Sequence, residues 1–253
     1  MGLIETEAIA LRTYNLAEAD KIVVCLARNT GLIRAVARGA RRLKSRFGAG
    51  LEPFTLIAMS YYEKEGRELV SLRQAEILRS YFNLSSNVEA VAALSYMGEL
   101  VIEFAPPHEP NERLFRMVNA CIDAAAQSPE EIGAIVRYFE VWLLKLAGFM
   151  PDLRSCVECG RRFGEEESTF LDAENKLRCY GCSNGLGIAL SREAHAQLRA
   201  TQRLSPSAYA GAAKDAPIAA QREMAQMTQQ LIGRVLERTP RGLYTGNHAP
   251  ALS

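Results

Sequence analysis

The sequence has no uncharged apolar stretch that approaches the roughly 18–20 residues needed to cross a membrane as a helix. Near its start stand Glu5 and Glu7, where a secretory signal peptide would have basic residues followed by an apolar run. Hydrophobic residues make up 48% and charged residues 23%, which is the balance of a globular protein that buries a core. We therefore expect a cytoplasmic protein with no membrane partner.

Motifs of the common catalytic sites are missing as well. There is no GxxxxGK[ST] loop for nucleotide phosphates, no HExxH and no GxSxG. The three histidines, His108, His195 and His248, lie in a proline-rich loop, a surface-like helix and the C-terminal tail, where we expect exposure rather than catalysis. The sequence contains no spaced set of carboxylates and histidines of the kind that would predict a metal-dependent nuclease. We expect that the chain is not an enzyme.

Acidic residues are absent from one long window, between Asp20 and Glu52. The window holds eight basic residues, namely Lys21, Arg28, Arg34, Arg38, Arg41, Arg42, Lys44 and Arg46. Because the whole chain carries +1, a window of +8 leaves −7 for the rest, and such segregation is typical of a phosphate-binding face. Phe47 inside the window, and Tyr61 or Tyr62 nearby, offer rings that could stack on bases. The pattern predicts nucleic-acid binding, with an acidic protein partner as the alternative.

Cysteine is scarce but clustered, since four of the six cysteines form two pairs. Cys156-x-x-Cys159 and Cys179-x-x-Cys182 are separated by nineteen residues, a spacing that predicts a tetrahedral four-thiolate zinc site. Four thiolates leave zinc no open position for water, so we expect a structural Zn²⁺. Two disulfides or two redox-active pairs are the alternatives, although the redox reading needs a thioredoxin-like βαβ context that the sequence lacks.

Five strand-like segments occupy roughly the first 75 residues, at 3–11, 21–28, 32–38, 54–62 and 69–74. Asn29-Thr30-Gly31 predicts a hairpin turn between the second and the third. Five short strands in this length predict a small barrel, either an OB-fold or an SH3-like barrel.

Helical periodicity begins after about residue 84, with segments at 87–104, 112–126, 132–146, 191–203 and 217–238. Ser128-Pro129-Glu130-Glu131 predicts a capping box before the third helical segment, and Gly148 predicts its C-terminal cap. We therefore predict an α+β multi-domain protein with an N-terminal OB-fold-like β-barrel, an α-helical domain and a four-cysteine zinc-binding insert. The predicted divisions are the barrel at 1–80, the helical domain at 81–152 with 187–239, the zinc-binding insert at 153–186 and a flexible tail at 240–253.

Several short motifs follow one another along the chain, namely Glu18-Ala19-Asp20-Lys21-Ile22-Val23, Ala37-Arg38-Gly39-Ala40-Arg41-Arg42, Leu51-Glu52-Pro53-Phe54, Pro110-Asn111, Phe139-Glu140 and Cys156-x-x-Cys159-Gly160. In this order and spacing they resemble the RecO family of bacterial DNA-repair proteins, and the likeness covers roughly residues 3–190. The resemblance implies an OB-fold, a helical domain and, as in many members, a zinc insert.

The resemblance further implies a recombination mediator of the RecF pathway. Such a protein binds single- and double-stranded DNA, anneals complementary strands and, with RecR, helps to load RecA onto DNA coated by single-stranded-DNA-binding protein. On the motif that matches, DNA contact is carried over to Arg34, Arg38, Arg41, Arg42, Lys44 and Arg46. A zinc-containing, sequence-specific DNA-binding regulator is the alternative function, although no predicted helix has a basic recognition face.

The resemblance also implies binding of the acidic C-terminal tail of the single-stranded-DNA-binding protein. Arg137 with its helix neighbour Phe139 is the candidate for this contact. The physical reason is that an acidic tail ending in phenylalanine fits an arginine beside an apolar groove.

Overall fold

The structure is a computed structural model that describes residues 2–63, 66, 68–164 and 167–237. By its internal contacts the chain divides into two compact units, Met1–Ala126 and Gln127–Ser253. The finer division into barrel, helical domain and zinc insert stays a prediction. The predicted tail at 240–253, with His248, lies outside the described residues.

The first unit contains a five-stranded barrel. Its strands are β1 (Gly2–Leu16), β2 (Asp20–Ala27), β3 (Gly31–Ala37), β4 (Leu56–Glu63) and β5 (Leu69–Arg79). Strand pairing follows the order β1-β2-β3-β5-β4 and closes through an antiparallel pairing of β1 with β4. The pairing of β3 with β5 is the one parallel pairing among these five, and it favours the OB-fold over the SH3-like barrel. The predicted OB-fold-like barrel is confirmed.

The barrel core follows from strand alternation, because successive side chains point to opposite faces of a sheet. Every second residue of β3 is buried, from Ile33 through Ala35 to Ala37, and the same holds for Ile57 and Met59 on β4. The residues between them, Arg34 and Val36 on β3 and Ala58 on β4, are partly exposed, so the Arg34 side chain is presented on the outer face of the barrel.

Two helices complete the first unit, α1 (Val88–Phe104) and α2 (Glu112–Gln127). The side chains of Asn87 and Asn111 accept N–H hydrogen bonds from the first turns of α1 and α2, respectively, each at 3.0 Å. Asp123 on α2 accepts hydrogen bonds from Arg79 at the end of β5 and from the Tyr81 hydroxyl, which fixes α2 against the barrel.

The loop between α1 and α2 packs against the β2–β3 hairpin turn. His108 donates its N–H to the Leu32 carbonyl at 3.1 Å. Gly31 has φ +72°, and a Cβ built there would lie 2.1 Å from the carbonyl oxygen of Glu109. This position therefore requires glycine both for its backbone conformation and for the close approach of the loop.

The second unit combines helices with one small sheet. Its elements are α3 (Ile132–Leu146), β6 (Thr169–Leu171), β7 (Leu177–Cys179), α4 (Tyr180–Ser183), β8 (Ile188–Leu190), α5 (Arg192–Arg203), α6 (Pro206–Ala213) and α7 (Ile218–Leu236). The sheet has the order β7-β6-β8, and both pairings are antiparallel.

Helix α3 is the centre of the second unit, and α5, α6 and α7 pack around it. Trp142 donates its indole N–H to the Thr201 carbonyl at 2.7 Å, and Tyr138 donates its hydroxyl to the Leu204 carbonyl at 3.1 Å. Both acceptors are carbonyls at the C-terminal end of α5, which have no partner within their own helix. These two aromatic residues, Tyr138 buried and Trp142 half-buried, therefore fix α5 with their polar atoms while their rings pack against the helices.

The ends of α3 only partly follow the prediction. Gly148 has φ +81°, and Phe149 donates its N–H to the Leu144 carbonyl at 2.8 Å, so the predicted C-terminal glycine cap is confirmed. The predicted capping box is wrong, because a 3-10 turn over Pro129–Glu131 precedes the helix and the Ser128 side chain makes no capping hydrogen bond. No helix in the described part of the chain is long and apolar enough to cross a membrane.

Candidate nucleic-acid interface and candidate metal centre

The structure brings the four paired cysteines together. The Sγ atoms of Cys156, Cys159, Cys179 and Cys182 all lie within 4.8 Å of one another, and those of Cys159 and Cys179 are 4.0 Å apart. Zn–S bonds of about 2.3 Å in a tetrahedron place the sulfurs about 3.8 Å apart. The four sulfurs are thus spaced to hold a metal ion, and their chemistry fits zinc.

Local hydrogen bonds build each half of this cluster. In the first half, Cys156 donates its N–H to the Arg161 carbonyl and accepts one on its own carbonyl from Gly160, both at 2.9 Å. Gly160 has φ +71°, a conformation that glycine adopts without strain. In the second half, Cys179 ends β7 and its N–H donates to the Cys156 sulfur at 3.4 Å. Residues on separate segments are therefore fixed around a common centre.

Backbone donors prepare part of the cluster for metal binding, which requires thiolates. Burial alone raises the pKa of Cys156, but the N–H groups of Cys159, Cys179 and Glu158 outweigh it and lower that pKa to about 6. The Cys182 thiol donates hydrogen bonds to the sulfurs of Cys179 and then Cys159, which favours its protonated form and raises its pKa to about 12. Without a metal ion, Cys182 therefore holds its proton more firmly than Cys156 does.

An arginine stands beside the sulfur cluster. Arg161 donates two hydrogen bonds to the Glu167 carboxylate, one of them at 2.9 Å, and Gly164 donates its N–H to the same carboxylate at 3.0 Å. The Glu167 carboxylate and then the Cys179 thiolate raise the pKa of Arg161. Since four thiolates and one Zn²⁺ leave a net charge of −2, a neighbouring cation stabilises the cluster.

His195 was expected at the surface, and the structure corrects this. Its side chain is buried, and its Nε2 lies 2.6 Å from the hydroxyl of Thr169 on β6. Burial and then the nearby Arg199 lower the pKa of His195. The reason is that α5 turns one narrow face toward the sheet that carries Cys179, and His195 lies on that face.

The second candidate site is the basic loop, defined as residues 38–46 between β3 and Phe47. Gly39 donates its N–H to the Asp20 carboxylate at 2.7 Å. Arg41 donates its N–H to the Ala19 carbonyl at 3.0 Å and its guanidinium to the Ala17 carbonyl at 2.9 Å. The loop is thus fixed to the turn between β1 and β2 at its N-terminal end.

Five cations of the basic loop are exposed, and none of them forms an ion pair with a carboxylate of the described residues; they are Arg38, Arg41, Arg42, Lys44 and Arg46. Arg34 on β3 is different, because it pairs with Glu68 at 2.9 Å. Arg28 likewise pairs with Glu7 at 2.8 Å. The unpaired charge of the acid-free window is therefore concentrated on the loop.

The predicted stacking role of Phe47 is wrong. Its ring is only 3% exposed and belongs to the barrel core, so its face cannot be reached by a base. The Arg46 guanidinium lies 4.9 Å from the ring centroid and covers it further. Of the two neighbouring tyrosines, Tyr61 is buried and donates its hydroxyl to Thr30, whereas Tyr62 is partly exposed.

Both candidate sites lie in parts of the chain that match models of a known protein family. Residues 1–81 match the family model described as recombination protein O N terminal, and residues 85–243 match the one described as recombination protein O C terminal. The chain belongs to the recombination protein O family. It is 34% identical over 215 residues to the DNA repair protein RecO of Anaeromyxobacter sp. (strain K), which is 85% of this chain and 84% of that relative. It is 35% identical over 161 residues to the DNA repair protein RecO of Koribacter versatilis (strain Ellin345), which is 64% of this chain and 65% of that relative.

In this member of the RecO family, the residues predicted to bind a partner tail lie mostly inside the second unit. Phe139 has no exposed surface, so the predicted contact of its ring with a partner is wrong. Arg137 is 9% exposed, forms a 2.6 Å ion pair with the fully buried Glu140 and donates to Thr228 at 3.2 Å. The arginine therefore first balances a buried carboxylate, and its contact with a tail stays a prediction.

Proposed function

We propose that the chain is a DNA-binding recombination mediator that acts in DNA repair in the cytoplasm, at the nucleoid. In this proposal it anneals complementary strands and, with RecR, loads RecA onto DNA coated by single-stranded-DNA-binding protein. Membership of the recombination protein O family supports the proposal, as does the name DNA repair protein RecO of its relatives. The observation that carries it is the anchored basic loop with its five exposed cations.

Annealing requires no group that makes or breaks bonds. Two DNA strands repel each other through their phosphates, and cations that neutralise those phosphates lower the repulsion. Base pairing then supplies the favourable free energy. Arg38, Arg41, Arg42, Lys44 and Arg46, with the ion-paired Arg34 at the loop's edge, are the proposed phosphate contacts.

Anchoring matters because a cation already held in place loses less freedom when it meets a phosphate. Arg41 illustrates this, since its guanidinium is oriented by the Ala17 carbonyl and still has other N–H donors for a ligand. An arginine can donate two parallel hydrogen bonds to one phosphate, which lysine cannot. The four arginines of the loop therefore favour a phosphate ligand over a diffuse acidic surface.

The test is the salt dependence of binding to a labelled single strand, measured by fluorescence anisotropy. Each phosphate contact that is lost lowers the slope of log affinity against log salt by roughly 0.7–0.9. We expect Arg38/Arg41/Arg42→Ala to flatten this slope by about 2. Arg192/Arg203/Arg222→Ala, exposed arginines of α5 and α7, makes the same change in net charge and is expected to leave the slope near that of the wild type.

Three results would contradict the proposal. If the wild type does not bind the single strand, the basic loop would be assigned to an acidic protein partner instead. Equal slopes for the two triple variants would place the phosphates elsewhere. Binding that requires one particular sequence would support the alternative DNA-binding regulator, because phosphate contacts carry no sequence information.

We further propose that the four cysteines hold one structural Zn²⁺. Support comes from the spacing of the four sulfurs and from the backbone donors around Cys156. When bound, zinc would crosslink the turn at Cys156–Cys159 to the end of β7, with no position left for water. Its contribution is therefore folding free energy for the small sheet of the second unit.

Arg137 remains the proposed contact for the acidic tail of the single-stranded-DNA-binding protein. A tail carboxylate could share the guanidinium with Glu140, because an arginine has five donors. The test compares binding of a labelled acidic peptide ending in phenylalanine to Arg137→Ala and to Glu140→Gln. We expect Arg137→Ala to lose binding, whereas Glu140→Gln breaks the same internal pair and retains the arginine. If Arg137→Ala binds the peptide as tightly as wild type does, Arg137 is not the contact for the acidic tail.

A further inference from the structure

Leu43 lies at the tip of the basic loop and is the most exposed large hydrophobic residue in the described part of the chain. Its relative exposure is 104%, against 79% for Phe82 and 82% for Val88, so its side chain has no packing partner. A leucine in this position gives up all of the stabilisation that burial of its side chain would bring. Its position is therefore better accounted for by a ligand than by folding.

The loop holds Leu43 at a defined place. On its N-terminal side, the hydrogen bonds of Gly39 to Asp20 and of Arg41 to Ala19 fix the chain. On its C-terminal side, Phe47 is inserted into the barrel core. Leu43 stands between these two anchors, with two arginines immediately before it and Lys44 immediately after it.

Charge and shape together identify the occupant. The unpaired cations on both sides of Leu43 attract a polyanion, and a polyanion that also presents flat apolar faces is a nucleic-acid strand. Proteins often insert apolar side chains, leucine among them, between bases whose phosphates they hold. With the Phe47 ring buried, Leu43 is the large apolar side chain that the loop presents to solvent.

We propose that Leu43 packs against a base of a single DNA strand whose phosphates are held by the flanking cations, and that it separates this base from its neighbour. The inference rests on the proposed DNA binding by the basic loop. A base separated in this way keeps its Watson–Crick edge free, so the contact assists annealing without competing for the pairing groups. The contact is with the face of the base and is therefore independent of sequence.

The test uses single strands that contain 2-aminopurine, whose fluorescence rises when it is separated from neighbouring bases. We expect wild type to raise this fluorescence and Leu43→Ala to abolish the rise, with an affinity about fivefold weaker and an unchanged salt slope, because no phosphate contact is lost. Leu43→Phe restores affinity. Leu43→Lys steepens the salt slope but does not restore the fluorescence rise. Phe82→Ala, an exposed apolar residue of the same unit outside the loop, behaves as wild type.

The outcomes separate this inference from the proposed function. If wild type binds no single strand, the proposed function fails and the inference fails with it. If wild type binds, and Leu43→Ala matches it in affinity and fluorescence, the inference alone is overturned. Leucine-dependent binding of vesicles that contain anionic lipid, together with leucine-independent binding of DNA, would also overturn it and assign the tip to a membrane surface.

Discussion

The carboxylate of Asp20 accepts a 2.7 Å hydrogen bond from the N–H of Gly39, nineteen positions later in the chain. Asp20 is the last acidic residue before the acid-free window. Its charge is directed at a backbone N–H, where it orders the basic loop, and it forms no ion pair with the loop's cations. One carboxylate thus positions the loop and leaves the five exposed cations available.

Replacement of Asp20 by alanine is expected to loosen the basic loop although it adds positive charge to the region. Amide hydrogen exchange of residues 39–42 should become faster, and single-strand affinity at fixed salt should fall by about threefold or more, since hydrogen bonds to charged groups contribute about 1.5–3 kcal/mol. Asp20→Asn keeps an acceptor oxygen, so its hydrogen exchange and its single-strand affinity should lie between those of wild type and those of Asp20→Ala. Tighter binding by Asp20→Ala would show that charge, and not loop position, sets affinity.

Alanine substitutions at Gly31 and Gly48 would distinguish the energetic cost of a strained backbone conformation from the cost of a steric clash. Both have positive φ, but a Cβ meets the Glu109 carbonyl at Gly31 and nothing within 4 Å at Gly48. We expect Gly48→Ala to lower the free energy of unfolding by about 1 kcal/mol and Gly31→Ala by more than about 3 kcal/mol. Chemical denaturation of both variants measures this. Equal losses would mean that the loop after α1 moves away from the hairpin at little cost.

Most of the fold could be predicted because its signals are local. Ser191 and Ser205 accept N–H hydrogen bonds from the first turns of α5 and α6, each at 3.2 Å, and serine at such positions marks a helix start from sequence alone. The end of β5 was missed. It runs to Arg79, which pairs with Leu56, whereas alternation of apolar residues predicted an end at residue 74. Pairing with a neighbouring strand extends β5 beyond its own pattern.

The candidate sites could be predicted less completely from the sequence. Whether a side chain in them is buried depends on how the chain folds back onto the core, which the sequence pattern does not show. Spacing alone brought the four cysteines together correctly. Phe47 looked like an exposed ring among cations, but the short turn Gly48–Leu51 brings the chain back to the barrel and buries both Phe47 and Leu51. His195 looked exposed on a polar helix, since its companions on the buried face are the small or polar Ala194 and Thr201 and a single large apolar residue, Leu198. Their contacts are long-range, and no local motif reports them.

Acidification is expected to destabilise the second unit through His195. Burial lowers its pKa below the ordinary 6.5, so the unfolded chain binds a proton more readily than the folded one. Stability is therefore complete above about pH 6.5 and falls as pH decreases from there toward the lower folded pKa. His195→Gln, which keeps a polar partner for Thr169, should show a smaller loss of unfolding free energy between about pH 7.5 and about pH 5.5.

The comparison of wild type with His195→Gln, both loaded with Zn²⁺, isolates the histidine, because any release of the metal by acid would be common to both proteins. Arg199 also lowers the pKa of His195, while Glu167 and Glu223 act against it. Arg199→Gln should therefore raise the folded-state pKa of His195 toward its ordinary value. The pH range over which unfolding free energy is lost should then be narrower than in wild type. Parallel stability curves for wild type and His195→Gln would show that the buried imidazole does not contribute to acid sensitivity.

Removal of the metal is expected to unfold the small sheet of the second unit and to spare the barrel. Cys156 and Cys179 are buried, and β6 lies between β7 and β8, so loss of the crosslink releases both the first turn and the sheet. We expect wild type to bind about one Zn²⁺ per chain and Cys156→Ser to lose it. Hydrogen exchange of β6, β7 and β8 should accelerate, whereas that of β1–β5 should not change.

DNA binding by the barrel should survive this change, with single-strand affinity within about twofold of wild type, because the basic loop makes its anchoring contacts within the first unit. Cys25→Ala is the matched control. Its thiol is buried in the barrel core, where desolvation raises its pKa to about 12, so its removal should lower barrel stability and leave zinc content unchanged. Zinc loss in Cys25→Ala, or loss of DNA binding in Cys156→Ser, would contradict a role for the metal that is confined to the second unit.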